Sequence, residues 1–380
     1  MALHIKARIE LSSLANTSIS GVGNYTRLLT KALAAAPDTE VCGSYFNFLS
    51  RQVTPFVKLN RPLEKNRFIP LRVYAKLQSF NIAPPFDLFL KKVDLTIFPN
   101  FATWPTAHSH LRATVIHDLT YLRYPEVVEA KNLQHLRRVV PRSVRRADFI
   151  ITVSETIKQE LVDEFRLDPA RCIVTTIPPD SSFAVPNHNE IHQKYGIPTQ
   201  DFIFFIGNLE PRKDIPTLIA AYCQLPPELR RRYSLVLAGG KGWRTEASEQ
   251  AIRDAQDAGE RVVHVGYVDQ ADASAFHQQA SLFVMSSLYE GFGMPILEAL
   301  TSGTPVVASD IPVLREAGGN AALYAQPQNS HDFALKITEA LTNSSTQAAL
   351  HAAIGPHLST FSWQKNVQRI LEITRTLLDS

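Results

Sequence analysis

Cysteine is scarce: Cys42, Cys172 and Cys223 are the only three in 380 residues, far apart and in no metal-ligand spacing. That excludes a disulfide framework or a zinc module and predicts inert thiols of a reducing compartment. No stretch reaches the roughly 18 apolar residues that a membrane-spanning helix needs. The opening "MALHIKARIELSSL" mixes charge among its apolar residues, so it lacks the unbroken core of a secretory signal, and a cytoplasmic location is expected. Short-period repeats, low-complexity tracts and recognisable nucleic-acid-binding motifs are absent too, so nucleic acid is not an expected partner.

What is present suits a globular fold. Hydrophobic residues make up 45% and charged residues 20%, enough apolar material for a buried core. The length points to two domains, and two domains imply a cleft. The net charge of +3 hides a division: residues 1–150 carry 21 Lys and Arg against 10 Asp and Glu, the remainder 18 against 26. The basic half interleaves cations with apolar residues in "RPLEKNRFIPLRVYAKLQSF" and "LRRVVPRSVRR". An anionic membrane surface would be met by such a pattern, and so would plain solvent.

Short β-rich runs alternate with longer amphipathic stretches throughout, which predicts an α/β fold of parallel sheets crossed by helices. The first series of strand candidates is "ALHIKARI", "EVCGSYFNF", "VDLTIFP", "ATVIHDL", "DFIITVS" and "CIVTTIP". After the Pro-rich linker "IPPDSSFAVPNHNEIHQKYGIPTQD", the second series is "FIFFIGNL", "SLVLAGG", "RVVHVGYV", "SLFVMSS" and "TPVVAS". Each series suffices for a doubly wound sheet, whose ligands bind beyond the carboxyl ends of the strands. In "SWQKNVQRILEITRTLL", Val367, Ile370, Leu371, Thr374, Leu377 and Leu378 share one helical face, so this last helix should lie along a domain surface.

Two acids mark the candidate site. "SLYEGFGMPILEAL" places Glu290 before a turn, Gly291-Phe292-Gly293, and Glu298 within the helix that follows, with Pro295 in its first turn and Gly303 past its end. Eight helical steps would separate the acids by about 12 Å, whereas a retaining glycosidase holds its carboxyl pair about 5 Å apart. The pair therefore suits gripping both ends of an extended ligand, with an anion against the free amides of the turn between them. A capped helix with solvated acids is the alternative. A second motif, "FIFFIGNLEPRKDIPTLI", runs from a buried strand into a turn carrying Arg212 and Lys213, where a diphosphate would be expected. The chain has no Asp-x-Asp, the common clamp for a sugar nucleotide's divalent metal, so neutralising a diphosphate would fall to these cations and the helix dipole, with neither metal nor cofactor.

Together these residues resemble the retaining glycosyltransferases of family four, which have the GT-B fold of two Rossmann-like doubly wound domains facing across a cleft. The resemblance covers nearly the whole chain, through "SGVGNYTRLL", "VIHDLTYLRYPE", "GNLEPRKD", "AGGKGW", the long run from "VGYVDQ" through "SLYEGFGMPILEAL" to "GGNAALY", and "FSWQKNV". It implies an acceptor-binding domain over residues 1–183, completed by a final helix 361–380 that crosses back, and a domain for the nucleotide sugar donor over 184–360. By position, Glu298 would hold the ribose hydroxyls and Glu290 the donor sugar. Arg212 and Lys213 would grip the diphosphate, while Gly291 and the amides of Phe292, Gly293 and Met294 would face sugar and phosphates. Backbone groups of Tyr267 and Val268 would read the base. Gly23 would belong to a first glycine turn near the diphosphate, and His117 would line the reaction centre.

Some of these signals are weak alone. His117 by itself reads as a structural histidine, and "GVG" has Thr26 where a dinucleotide fingerprint has its third glycine. Trp243 could equally be a packing residue. The wording most resembles bacterial mannosyltransferases of surface polysaccharide synthesis. That implies GDP-mannose as donor, a glycan on a polyprenyl diphosphate as acceptor, and a peripheral position on the inner membrane. A UDP- or dTDP-sugar transferase, a sugar-nucleotide epimerase and a catalytically silent glycan-binding scaffold are the alternatives.

Overall fold

The computed structural model describes residues 4–15, 21–48, 59 and 61–380. Ser20 of the first glycine motif and the first two residues of "ALHIKARI" lie outside them. The chain divides into two compact units, one of residues 1–122, 130–177 and 362–380, the other of 123–129 and 178–361.

The first unit is built on a seven-stranded sheet. Its strands are β1 (Ile5–Glu10), β2 (Thr39–Phe46), β3 (Glu64–Asn66), β4 (Val93–Phe98), β5 (Ser109–Ile116), β6 (Phe149–Thr152) and β7 (Cys172–Val174), in the order β3-β2-β1-β4-β5-β6-β7. All neighbours run parallel. The strand order reverses between β1 and β4, the position where such sheets open a crevice at their carboxyl ends. β1 is buried along most of its length and carries a fully buried cation, Arg8. Burying that charge requires partners, and Glu64 of β3 at 3.0 Å and Asp87 at 3.6 Å provide them.

The second unit repeats the arrangement with six strands. They are β8 (Asp201–Ile206), β9 (Tyr233–Ala238), β10 (Val262–Gly266), β11 (Leu282–Met285), β12 (Val306–Ser309) and β13 (Ala322–Ala325), in the order β10-β9-β8-β11-β12-β13 and again all parallel. Its central strands read as unbroken apolar runs because both faces of the sheet are covered. Ile203, Phe205, Leu235 and Val284 enter one core, while Phe202, Phe204, Val236 and Phe283 enter the other. Successive side chains alternate between faces, so one short strand serves both cores. Here the order reverses between β8 and β11.

The last helix, Trp363–Asp379, buries Val367, Ile370, Leu371 and Thr374 in the first unit, with Leu377 and Leu378 half-buried. Asn366 Nδ2 donates to Thr176 O at 2.5 Å and Arg369 to Val174 O at 2.9 Å, while Arg375 pairs with Asp38 at 3.1 Å. Two strands escaped the sequence reading, β3 and β13. Residues 123–129, placed by the reading in the first domain, belong to the second unit, and the main boundary falls at Ile177 rather than at 183.

Candidate active site

The loops that leave β8 and β11 start at the point where the second sheet reverses, and side chains and backbone join them. Lys213 Nζ donates to Glu290 Oε1 at 2.6 Å, and Arg212 Nη1 lies 2.6 Å from Glu290 Oε2. The backbone of Leu288 donates to Arg212 O at 2.7 Å, and Ser286 Oγ donates to Lys213 O at 2.7 Å. Arg212 also reaches Tyr289 O at 3.2 Å and Glu210 at 3.0 Å. Two cations and two carboxylates thus form one cluster of zero net charge, with Lys213, Glu210 and Glu290 all buried.

Burial works against a charge on Glu290, but Arg212 and Lys213 outweigh it and hold the carboxyl at about 2. Burial likewise pulls the Lys213 ammonium below the ordinary lysine range, with Glu290 pulling it back. Glu290 therefore stays ionised at neutral pH, accepting from two donors.

Glycine makes the close approach of these loops feasible at two places. Gly239, after β9, has φ of 144°, and a Cβ there would meet Gly207 O at 1.9 Å. Gly293 caps the helix Met294–Thr301 at φ of 115°, where a Cβ would meet Leu314 at 3.0 Å and Ala317 at 3.1 Å. No side chain among the described residues caps this helix start. Phe292 is buried, its ring edge-on to Phe361 with centroids 5.9 Å apart, while Gly291 and Met294 are half-buried.

Glu298 lies on that helix with its carboxyl partly exposed, 3.6 Å from Nε2 of a fully buried histidine, His277. Among the described residues neither ring nitrogen of His277 has a hydrogen-bond partner. Tyr267 and Val268 follow β10 at the sheet's edge, the first exposed and the second buried. The ends of β8, β9 and β10 are tied through Gly207 N to Ala238 O at 2.9 Å and Gly239 N to Gly266 O at 2.7 Å. Arg212, Lys213, Glu290 and the turn 291–294 are brought together, then, while Glu298 stands one helix turn further on and Tyr267 and Val268 two strands away.

The short segment 123–129 closes over the same region. Tyr124 packs against Tyr289, with ring centroids 5.5 Å apart and the planes tilted by 45°, beside Glu290. The Trp243 indole donates to Val127 O and Arg244 to Glu126 O, so Trp243 anchors this segment.

In the first unit His117 follows β5 and is buried. Its Nε2 is 2.8 Å from Pro99 O, an acceptor only, so Nε2 carries the proton and Nδ1 is the basic atom. Burial lowers its pKa, which keeps the ring neutral. The edges of Tyr25 and Phe101 flank it at 5.1 and 5.6 Å, and Phe101 holds a positive φ of 56°, a strained setting for an aromatic residue. Glu10, ending β1 beside the reversal, is buried and accepts from Ser12 N at 2.8 Å. Gly23 is buried within the helix Gly21–Ala35.

Glu10, Glu210, Tyr124 and His277 were missed by the sequence reading. The one available signal was His277, a polar residue on the apolar stretch "ASAFHQQASLF". Among the described residues no three His, Cys, Asp or Glu side chains gather as a metal-ligand set, and no helix is long and apolar enough to cross a membrane.

Comparison with known proteins supplies the family. Residues 187–354 match the family model "Glycosyl transferases group 1", and residues 19–179 match "Glycosyltransferase Family 4". Over 91% of this chain and 93% of the relative, it is 34% identical to an O-antigen chain mannosyltransferase B of Escherichia coli. Among solved structures, a sucrose-phosphate synthase from Thermosynechococcus elongatus matches with a TM-score of 0.72 at 18% identity, covering 99% of both chains. Anabaena HepE in complex with UDP and glucose matches with a TM-score of 0.68 at 17% identity, over 98% of this chain and 100% of that one. Two all-parallel doubly wound sheets, each matched by its own half of the family signature, make this chain a glycosyltransferase of the group 1 and family 4 kind, with the GT-B fold.

Proposed function

We propose that the chain transfers mannose from GDP-mannose, with retention at the anomeric carbon, to a hydroxyl of a polyprenyl-diphosphate-linked glycan in O-antigen-type polysaccharide synthesis. The observation that carries this reading is the Lys213–Glu290–Arg212 cluster at the reversal of the second sheet. The name of the E. coli relative supports the choice of sugar and pathway.

In this reading the donor's diphosphate takes over Arg212 and Lys213, which frees Glu290 to accept from hydroxyls of the mannose. Glu298 holds the ribose, the amides of residues 292–294 face sugar and phosphates, and Tyr267 and Val268 meet the base. Gly23 and His117 serve the acceptor's side. The bond from the anomeric carbon to the diphosphate oxygen breaks, and its electron pair leaves with the diphosphate. The acceptor oxygen bonds to the same face, and its proton passes to the leaving phosphate oxygen. The protein's contribution is positioning and stabilisation of the departing charge. The cytoplasmic leaflet of the inner membrane, where such an acceptor lies, is the proposed working surface.

Donor titrations followed by transfer assays test this. GDP-mannose should raise the melting temperature more than UDP- or dTDP-sugars, since a ligand bound only by the folded state stabilises it. Lys213→Ala should lower transfer by about two orders of magnitude or more, the scale seen when a donor to developing charge is removed. Stabilisation by a UDP-sugar alone would overturn the donor, and undiminished transfer by Lys213→Ala would overturn the site.

A further inference from the structure

Ten large apolar side chains are exposed among the described residues, and six of them, Phe68, Val73, Phe80, Ile82, Leu88 and Phe89, fall in one stretch of the first unit. Phe68 and Phe89 touch, with ring centroids 4.2 Å apart, and apolar side chains exposed together mark contact surfaces. Within this stretch the helix Leu71–Ser79 carries Arg72 and Lys76 and no acid. The helix Ala130–Arg146, which packs against it, has six cations and no acid.

The two helices meet at a recess of about 370 Å³ lined by Asn81, Arg142, Arg145 and Arg146. Arg142 donates to Ser79 O, and Arg146 donates to Asn81 Oδ1 at 3.0 Å and to Thr103 O at 2.9 Å. Among the described residues none of the three arginines pairs with a carboxylate. Around Arg146 the like charges of Arg112 and Arg142 add to the cost of its burial. The same hydrogen bonds pin the turn that projects Phe80 and Ile82, exposed at 63% and 66%, beside this uncompensated positive charge. Apolar tips beside cations lacking a counter-ion match the boundary of an anionic bilayer, where acyl chains lie just beneath phosphates.

We infer that the recess lined by Asn81, Arg142, Arg145 and Arg146 binds the headgroup phosphate of an anionic phospholipid while Phe80 and Ile82 enter the acyl region beside it. This rests on the membrane part of the functional reading and is independent of the donor.

Vesicle flotation tests it, using phosphatidylcholine alone and phosphatidylcholine mixed with phosphatidylglycerol. The variants are Arg145→Glu, Phe80→Ser and, as a control of equal charge change in the second unit, Lys336→Glu. The wild-type chain should float with the mixed vesicles and not with the neutral ones. Arg145→Glu should weaken partitioning about tenfold or more, because two units of charge change at the surface. Phe80→Ser should weaken it several-fold, and Lys336→Glu should leave it unchanged. Arg145 is exposed and outside both cores, so an unaltered melting temperature would show its variant folded. Flotation lost equally in Arg145→Glu and Lys336→Glu would refute the recess while leaving membrane binding in place. No flotation of the wild-type chain would overturn both. Displacement from mixed vesicles by inorganic phosphate at constant ionic strength would assign the recess to a free anion and overturn lipid docking.

Discussion

Glu10 and Glu290 both follow or end a central strand and both are buried, yet their carboxyls are shifted in opposite directions. Burial pushes the Glu10 carboxyl up to about 7, since the hydrogen bonds from Ser12 only partly offset it. The same burial at Glu290 is overcome by two cations. Glu10 gives the clearer pH test. Its folded value lies above the ordinary 4.5, so the folded state binds the proton more tightly. The stability this confers is complete below pH 4.5 and is lost as pH rises from there through about 7. Across that window the loss amounts to about 3 kcal/mol. Glu10→Gln should match the wild-type chain in urea unfolding at pH 4 and exceed it at pH 8; parallel pH profiles would show that Glu10 does not titrate there. These partners were not readable in advance. Glu210 lies two residues before Arg212, a spacing that any solvated turn could show, and Tyr124 meets Tyr289 only once the chain has folded. Arg212, Lys213, Glu290 and Glu298 were readable because their strand-turn-helix settings are local.

At the scale of elements, the strands that announced themselves are the apolar ones. β8, "DFIFFI", is buried on both faces and needs no context to be recognised. β3 is "EKN", three polar residues at a sheet edge held by parallel pairing to β2 and by the Arg8–Glu64 ion pair, so no periodicity could disclose it. β13 is four residues long and follows a short 3-10 turn. The place of Gly23 within the helix Gly21–Ala35 has no signal of its own, because glycines near a helix start look the same before or within the first turn. Gly293 is different, since its backbone angle and its neighbours Leu314 and Ala317 both exclude a side chain. Gly293→Ala should destabilise the second unit by about 2 kcal/mol, combining left-handed strain with crowding. It should also weaken donor binding, because the helix Met294–Thr301 starts there. Calorimetric titration with a nucleotide sugar reads the second effect, and wild-type affinity would contradict the role given to this turn.

For the whole molecule, the last helix is the part whose removal should tell most. Val367, Ile370 and Leu371 bury their side chains in the first unit, each worth about 2 kcal/mol of transfer free energy. A chain ending at Phe361 should therefore lose amide-exchange protection in β5, β7 and the helix Gly21–Ala35, while β8, β9 and β11 keep theirs. Equal loss in both units would mean that they do not hold separate cores. The helix also bears on how the protein is made. Ribosomes release residues 178–361 before 362–380, so the second unit has every strand it needs while the first still lacks a wall. The portion translated earliest is completed last, and until then its apolar flank is open to chaperones.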